Sequence, residues 1–279
     1  MLNGLDIFTG FGGISIALAP WVRPVLYCEV ERYPQSVLLS RMADGDLPFA
    51  PIWDDVTTLN GRLWRGIVDI IYGGFPCQDI STAGAGAGLE GKRSGLFFEI
   101  LRLADEVRPS FVFLENVPAI RTRGLERVIE EFSIRGYDCR WRMLSAAEVG
   151  APHLRNRWFL LAADTHGRTF REQSLDRAVR HAAAIPSSDG KAQSLAHTDD
   201  QRLSRSWPVG KESKLDPIAR HGRWTSESAV CRVDDGSAHR LDRFKALGNG
   251  VVPAQVREAF ESLLGGCLDE KTVREVSSG

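Results

Sequence analysis

"GLDIFTGFGG", residues 4–13, is a short apolar run that dissolves into glycines. It reads as a buried strand ending in a turn that opens a helix. Glycine at such a junction permits a tight turn and lets a ligand approach the backbone, although a plain connecting turn has the same signature. Outward from it, "PVLYCEV" (24–30), "DIIYGGFP" (69–76), "SFVFLENV" (110–117) and "RWFLLAAD" (157–164) read as further buried strands. Between them, Leu96, Phe97, Ile100, Leu101, Ala104 and Val107 recur at helical spacing, as do Leu125, Val128, Ile129 and Phe132. Strands alternating with helices predict an α/β fold: a parallel sheet with helices on both faces.

The chain has 279 residues, 43% hydrophobic and 25% charged, the proportions of an ordinary globular protein with one large domain or a large and a small one. No apolar run reaches the roughly 20 residues needed to span a bilayer, so no membrane partner is expected. The opening residues lack the pattern of a signal peptide. The five cysteines are scattered without a CxxC pair, which predicts neither a disulfide framework nor structural zinc and points to a reducing cytoplasm. The net charge is −1, so any nucleic acid would be held by local basic patches.

The texture changes near Thr165. Residues 165–240 are rich in Arg, Ser, Asp and His and poor in large apolar residues. Five of the six histidines lie there, too scattered for a metal cluster, and no metal is expected. The segment reads as a flexible insert or as a small second domain. After 240, "LGNGVVP" is followed by a helix with Val256, Ala259, Phe260, Leu263 and Leu264 on one face. The organisation expected is a catalytic and cofactor-binding domain over 1–164, a small insert over 165–240, and a return to the first domain over 241–279.

Several residues stand where α/β proteins do chemistry. Glu29 ends the second strand, the place for a carboxylate that binds ribose hydroxyls. Asp55, in "IWDDVTTL", suits an acceptor for an adenine amino group; either acid also reads as a solvated residue or helix cap. Cys77 follows Pro76 at a strand end, either as a nucleophile or as an ordinary buried thiol. Glu115 and Asn116 close a strand that is otherwise apolar. A carboxylate there needs a partner or a task, and burial would raise its pKa enough to hold a proton near neutrality. Arg155 and Arg157, two apart at a strand start, would point to one side.

In order, the glycine turn, ribose carboxylate, Pro-Cys, Glu-Asn-Val, Arg-x-Arg and Gly-Asn-Gly-Val-Val-Pro resemble the DNA cytosine-5 methyltransferase family, over about 1–163 and 240–265. The resemblance implies a Rossmann-like, S-adenosylmethionine-dependent methyltransferase sheet with a small recognition insert. Phe8, Gly10, Gly12 and Gly13 match the family's cofactor turn, with Phe8 on the adenine, Glu29 on the ribose, and Asp55 and Val56 beside the adenine. Pro76 and Asn249 match other cofactor-side positions. Phe75-Pro76-Cys77-Gln78 with Ser81 matches the nucleophile motif, and residues 81–102 match its mobile loop and following helix. Lys92 and Arg93 would meet DNA phosphates, with Gln78 and Ser81 also on the DNA side. Glu115, Asn116 and Val117 match the proton-donor motif, and Arg155 and Arg157 the pair behind the target base. His153 stands where the family usually carries Gln, at a DNA-side contact.

By the same resemblance the thiolate of Cys77 attacks C6 of a flipped cytosine, Glu115 serves N3, and Arg157 holds O2. The implied partner is double-stranded DNA, with a cognate restriction endonuclease as an optional second. The implied protein is a monomer, bacterial or phage-encoded, acting in the cytoplasm. Rival readings are an RNA cytosine-5 methyltransferase and a catalytically silent relative that binds cofactor or DNA.

Overall fold

The computed structural model describes residues 1–75, 95–165 and 250–277, with side chains to Gly265 in the last segment. Strands β1 (Leu2–Ile7), β2 (Val22–Cys28), β3 (Ile52–Trp53), β4 (Ile70–Gly74), β5 (Phe111–Asn116), β6 (Tyr137–Leu144) and β7 (Arg157–Asp164) form one sheet in the order β3-β2-β1-β4-β5-β7-β6. Helices α1 (Gly13–Leu18), α2 (Arg32–Ala43), α3 (Leu96–Val107), α4 (Ile120–Arg123), α5 (Leu125–Ile134) and α6 (Pro253–Ser277) accompany it. Among the described residues no helix is long and apolar enough to cross a membrane.

The apolar stripes explain the layers. Phe97, Ile100, Leu101, Ala104 and Val107 of α3 join Val128 and Phe132 of α5 against one face of the sheet. Ile14, Ala17 and Leu18 of α1 join Val256, Ala259, Phe260, Leu263 and Leu264 of α6 against the other. Central β5 is apolar on both sides for this reason. Val112 and Leu114 belong to the first cluster, and Phe111 and Phe113 to the second.

The all-parallel expectation needs correction. β3, β2, β1, β4 and β5 are parallel, but β7 lies between β5 and β6 and runs antiparallel to both. The link from β6 to β7 explains the reversal. It holds only a short 3-10 turn, Ala146–Val149, and folds on itself through Ala146 N–H to Leu154 C=O at 2.8 Å. A parallel return needs a crossover across the sheet, usually a helix, and this link contains none. Strand β6 also went unforeseen. It is an edge strand in which Asp138, Arg140 and Arg142 alternate with other residues and dilute the apolar signal.

One polar cluster lies inside this core. Asp6 is 1% exposed and accepts a 2.5 Å hydrogen bond from Ser15 Oγ, which meets Tyr72 Oη at 2.7 Å. Burial pushes the Asp6 carboxyl up to about 8, and the nearby charge of Glu29 adds to the rise, while the Ser15 bond opposes it. Its Oδ1 has no hydrogen-bond partner, which suits a neutral acid better than a carboxylate. The folded state thus binds a proton that the unfolded chain has released above its ordinary value of 3.8. Stability from this residue is present at low pH and is lost as pH rises toward 8. We predict that wild type loses stability relative to Asp6→Asn over that window, with a slope approaching about 1.4 kcal/mol per pH unit. Urea unfolding at several pH values checks this, and parallel pH profiles for the two proteins would contradict it.

Candidate active site

Two groups of residues meet at the edge where the parallel strands end. The first is built on the β1 turn. β1 stops at Ile7, Phe8 takes a left-handed φ of 54°, and Gly10 follows at 57°. Thr9 Oγ1 hydrogen-bonds the carbonyls of Asp6 and Cys28 at 3.0 and 3.2 Å, tying the ends of β1 and β2 together. That tie brings Glu29, 7% exposed, under the turn. Its Oε2 accepts the Gly10 N–H at 2.7 Å and its Oε1 the Glu31 N–H at 2.8 Å. Burial raises the Glu29 pKa, and the two backbone donors oppose the rise. Each carboxylate oxygen keeps a further acceptor site for a hydroxyl.

Asp55 stands at the tip of the neighbouring strand β3 and caps a 3-10 turn, Val56–Thr58. Its Oδ1 accepts both the Thr57 N–H at 2.9 Å and the Thr57 hydroxyl at 2.8 Å. These bonds hold its carboxyl below the ordinary range, so it is an acceptor at neutral pH. A nucleoside fits this set of groups: a carboxylate for hydroxyls, an ionised acceptor for an amino group, and open space of 4 Å where a side chain at Gly10 would lie.

The second group is built on β5. Glu115, the last residue but one of that strand, is 8% exposed and accepts from Arg157 Nε at 2.8 Å. Burial raises its pKa, and the charges of Arg157 and Arg155 pull it back down. Room for the carboxylate comes from Gly74 on the adjacent strand, where a Cβ would lie 2.8 Å from Glu115 Oε2. The next residue, Asn116, is also buried. Its Oδ1 accepts the Val117 N–H at 2.7 Å, and its Nδ2 donates to the Phe75 carbonyl at 3.3 Å. Asn116 therefore anchors the residue that precedes Pro76 and Cys77.

The two arginines were expected on one side of a strand, but they have separate tasks. Arg157 begins β7 and pairs with Glu115. Arg155 precedes the strand with φ 26° and donates from Nη2 to the Gly250 carbonyl. Burial lowers the Arg155 pKa, and the Arg157 charge adds to that. Gln255, 1% exposed, donates to the Leu144 carbonyl at 2.7 Å and the Arg155 carbonyl at 2.9 Å. It locks the Arg155 loop to the start of α6.

The structure places Phe8, Gly10, Gly12 and Gly13 in the turn between β1 and α1, Glu29 beneath that turn, Asp55 and Val56 just past β3, and Glu115, Asn116, Arg155 and Arg157 at the end of β5. Pro76, Cys77, Gln78, Ser81, Lys92, Arg93, Asn249 and the segment 166–240 lie outside the described residues. Sequence reasoning passed over Thr9, Gly74 and Gln255. Only Gly74 left a visible signal, as a glycine before Phe-Pro-Cys, and its reason lies on a neighbouring strand.

Fold and site define an α/β protein with a glycine turn and two acids at the ends of its first three strands, and a buried carboxylate–arginine pair at the end of β5. The family described as C-5 cytosine-specific DNA methylase matches residues 2–206 of the 279, and the chain belongs to that family. It is 29% identical over 276 residues to the type II methyltransferase M.CviJI of Paramecium bursaria Chlorella virus IL3A, covering 99% of this chain and 63% of that protein. It is 32% identical over 165 residues to the type II methyltransferase M.HhaI of Haemophilus parahaemolyticus, covering 57% and 48%. The chain spans less than two thirds of the length of these relatives. Its fold is similar to that of the Entamoeba histolytica methyltransferase EhMeth, with TM-score 0.50 and 14% identity over 59% of this chain and 53% of that one.

The buried pair gives a direct prediction. Arg157→Met removes the cation hydrogen-bonded to Glu115 and leaves only the charge of Arg155 near it, so Glu115 must bind a proton or remain a poorly compensated buried charge. The variant should lose about 3 kcal/mol at pH 8 and clearly less at pH 5, where protonation relieves the charge. The sign follows from the raised Glu115 pKa, because stability tied to a proton held in the fold falls as pH rises. Denaturant unfolding at the two pH values measures the difference, and an equal loss at both would contradict it.

Proposed function

We propose that the protein transfers a methyl group to C5 of cytosine in double-stranded DNA. The observation that carries this reading is the buried Glu115–Arg157 pair, placed beside the strand end that leads into Pro76 and Cys77. Family membership supports it. S-adenosylmethionine would supply the methyl group on a sulfonium, held by Glu29 at the ribose and by Asp55, Val56 and Phe8 at the adenine.

C5 of cytosine is too poor a nucleophile to take that methyl unaided. Addition of the Cys77 thiolate to C6 raises electron density at C5 and divides one hard step into easier ones: C5 takes the methyl group, a base removes the C5 proton, and elimination breaks the Cys77–C6 bond and releases the thiolate. Glu115 holds a proton at N3 and offsets the charge that the thiolate brings. Burial raises its pKa against the pull of two arginines, the direction that favours taking up a proton. We assign Arg157 to cytosine O2, its Nε remaining on Glu115. Burial pushes the thiols of Cys28 and Cys139 up to about 12, which leaves them protonated and unsuited to this attack. The target atom is hidden in a stacked duplex, so the base must be flipped out. Residues 165–240, with Arg202, Arg205, Arg220 and Arg223 near Trp207 and Trp224, are our candidates for choosing the DNA site.

Tritiated methyl transfer to DNA and to RNA, followed by bisulfite sequencing, tests product and polymer together. Cys77→Ala should abolish transfer while cofactor binding remains. DNA carrying 5-fluorocytosine should form a denaturation-resistant adduct with the wild type, because fluorine cannot leave as a proton. Turnover by the alanine variant at the normal rate would remove Cys77 from the mechanism. Glu115→Gln keeps the shape and loses the acidity, so its rate should fall roughly a hundredfold or more. A rate within twofold of wild type would make Glu115 structural.

A further inference from the structure

Arg102, in the middle of α3, makes a set of contacts that neither the fold nor the proposed chemistry assigns. Its Nη2 donates to the Val56 carbonyl at 2.8 Å and its Nη1 to the Leu59 carbonyl at 2.9 Å. Those carbonyls lie at the start of the 3-10 turn capped by Asp55 and just past its end. On its other side the guanidinium is held by Glu99 at 2.7 Å and by Glu106 at 3.0 Å. Glu106 Oε2 also accepts the Gly61 N–H at 2.7 Å, and Arg65 donates to the carbonyls of Asp105 and Glu106 at 2.8 and 2.9 Å. The whole stretch from Val56 to Arg65 is thus fastened to α3 by side chains.

A three-residue 3-10 turn has few internal bonds to define it: the Val56 carbonyl accepts the Leu59 N–H only at 3.3 Å, and the Leu59 carbonyl lies past the turn's end. A surface ion pair along one helix would add little. These bonds differ because they reach across 43 and 46 residues of sequence to two backbone acceptors at once. A planar fork of five donors reaches both carbonyls while holding Glu99 and Glu106, four acceptors in all; an ammonium has three donors on a single nitrogen. The turn so held presents Asp55, whose carboxyl faces solvent as an ionised acceptor, and Val56, which is buried.

We propose that Arg102 is the positioning residue for adenine recognition: through the carbonyls of Val56 and Leu59 it fixes the turn that presents Asp55 to the 6-amino group of the cofactor. This rests on the nucleoside pocket proposed above. Arg102 touches no substrate and acts only through the turn. It therefore sets which base the pocket accepts, beyond how well the protein folds.

The test compares binding of S-adenosylhomocysteine with that of S-inosylhomocysteine, which carries a carbonyl in place of the amino group. Calorimetry on the full chain needs no turnover. Wild type should favour the adenine ligand about 10- to 100-fold, the range for a hydrogen bond to a charged acceptor. Arg102→Gln should reduce that preference to less than about 3-fold. Arg102→Lys keeps the charge for Glu99 and Glu106, and with it the fold, but reaches only one carbonyl. It should fall between wild type and Arg102→Gln. If either folded variant keeps the wild-type preference while only its unfolding midpoint drops, Arg102 is a structural staple and the proposal is overturned. If wild type itself shows no preference, the assignment of Asp55 to the adenine fails first, and this inference fails with it.

Discussion

The 2.8 Å contact between Arg157 and Glu115 depends on the direction of one strand. Glu115 lies at the end of β5 and Arg157 at the beginning of β7. They meet because β7 runs antiparallel to β5, with Asn116 opposite Trp158. A parallel β7 would begin at the far edge of the sheet, roughly 20 Å away for a six-residue strand. The hairpin link after β6 that prevents a crossover is therefore what pairs the buried carboxylate with its cation. Without that cation, desolvation of Glu115 would have no opposing charge from β7.

The β1 turn and the acids around it follow the same logic of strand ends. Thr9 ties β1 to β2, Glu29 accepts the Gly10 N–H, and α3 holds the Asp55 turn. Two acids, Asp6 and Glu29, lie within electrostatic range of each other, and burial raises the pKa of both. A neutral Asp6 removes one of those two negative charges from beneath the β1 turn. Glu29, with two backbone donors, is the one better equipped to carry charge.

Much of this was legible in the sequence for a physical reason. Buried strands and amphipathic helices write their environment into their residues, as in "FVFLENV" and the α3 stripe. Glu115 announced itself by being charged where its strand should be apolar. Strand direction was not legible, because "RWFLLAAD" reads the same whichever way it runs. The separate tasks of Arg155 and Arg157 were hidden too, since one depends on Gly250 and the other on Glu115. Gln255 and Arg102 look like ordinary helix surface in the sequence. Their partners are backbone carbonyls on distant segments, and a carbonyl leaves no mark on residue identity.

The most direct test of this account is the titration of Glu115 itself, followed by carbon-13 NMR of its side-chain carboxyl in the free protein. A glutamate resonance that vanishes in Glu115→Gln should titrate above the ordinary value of 4.5, and higher again in Arg157→Met. A Glu115 that titrates at or below its ordinary value would show that the arginines outweigh burial. It would then be a fixed carboxylate, unable to hold the proton that the proposed chemistry requires.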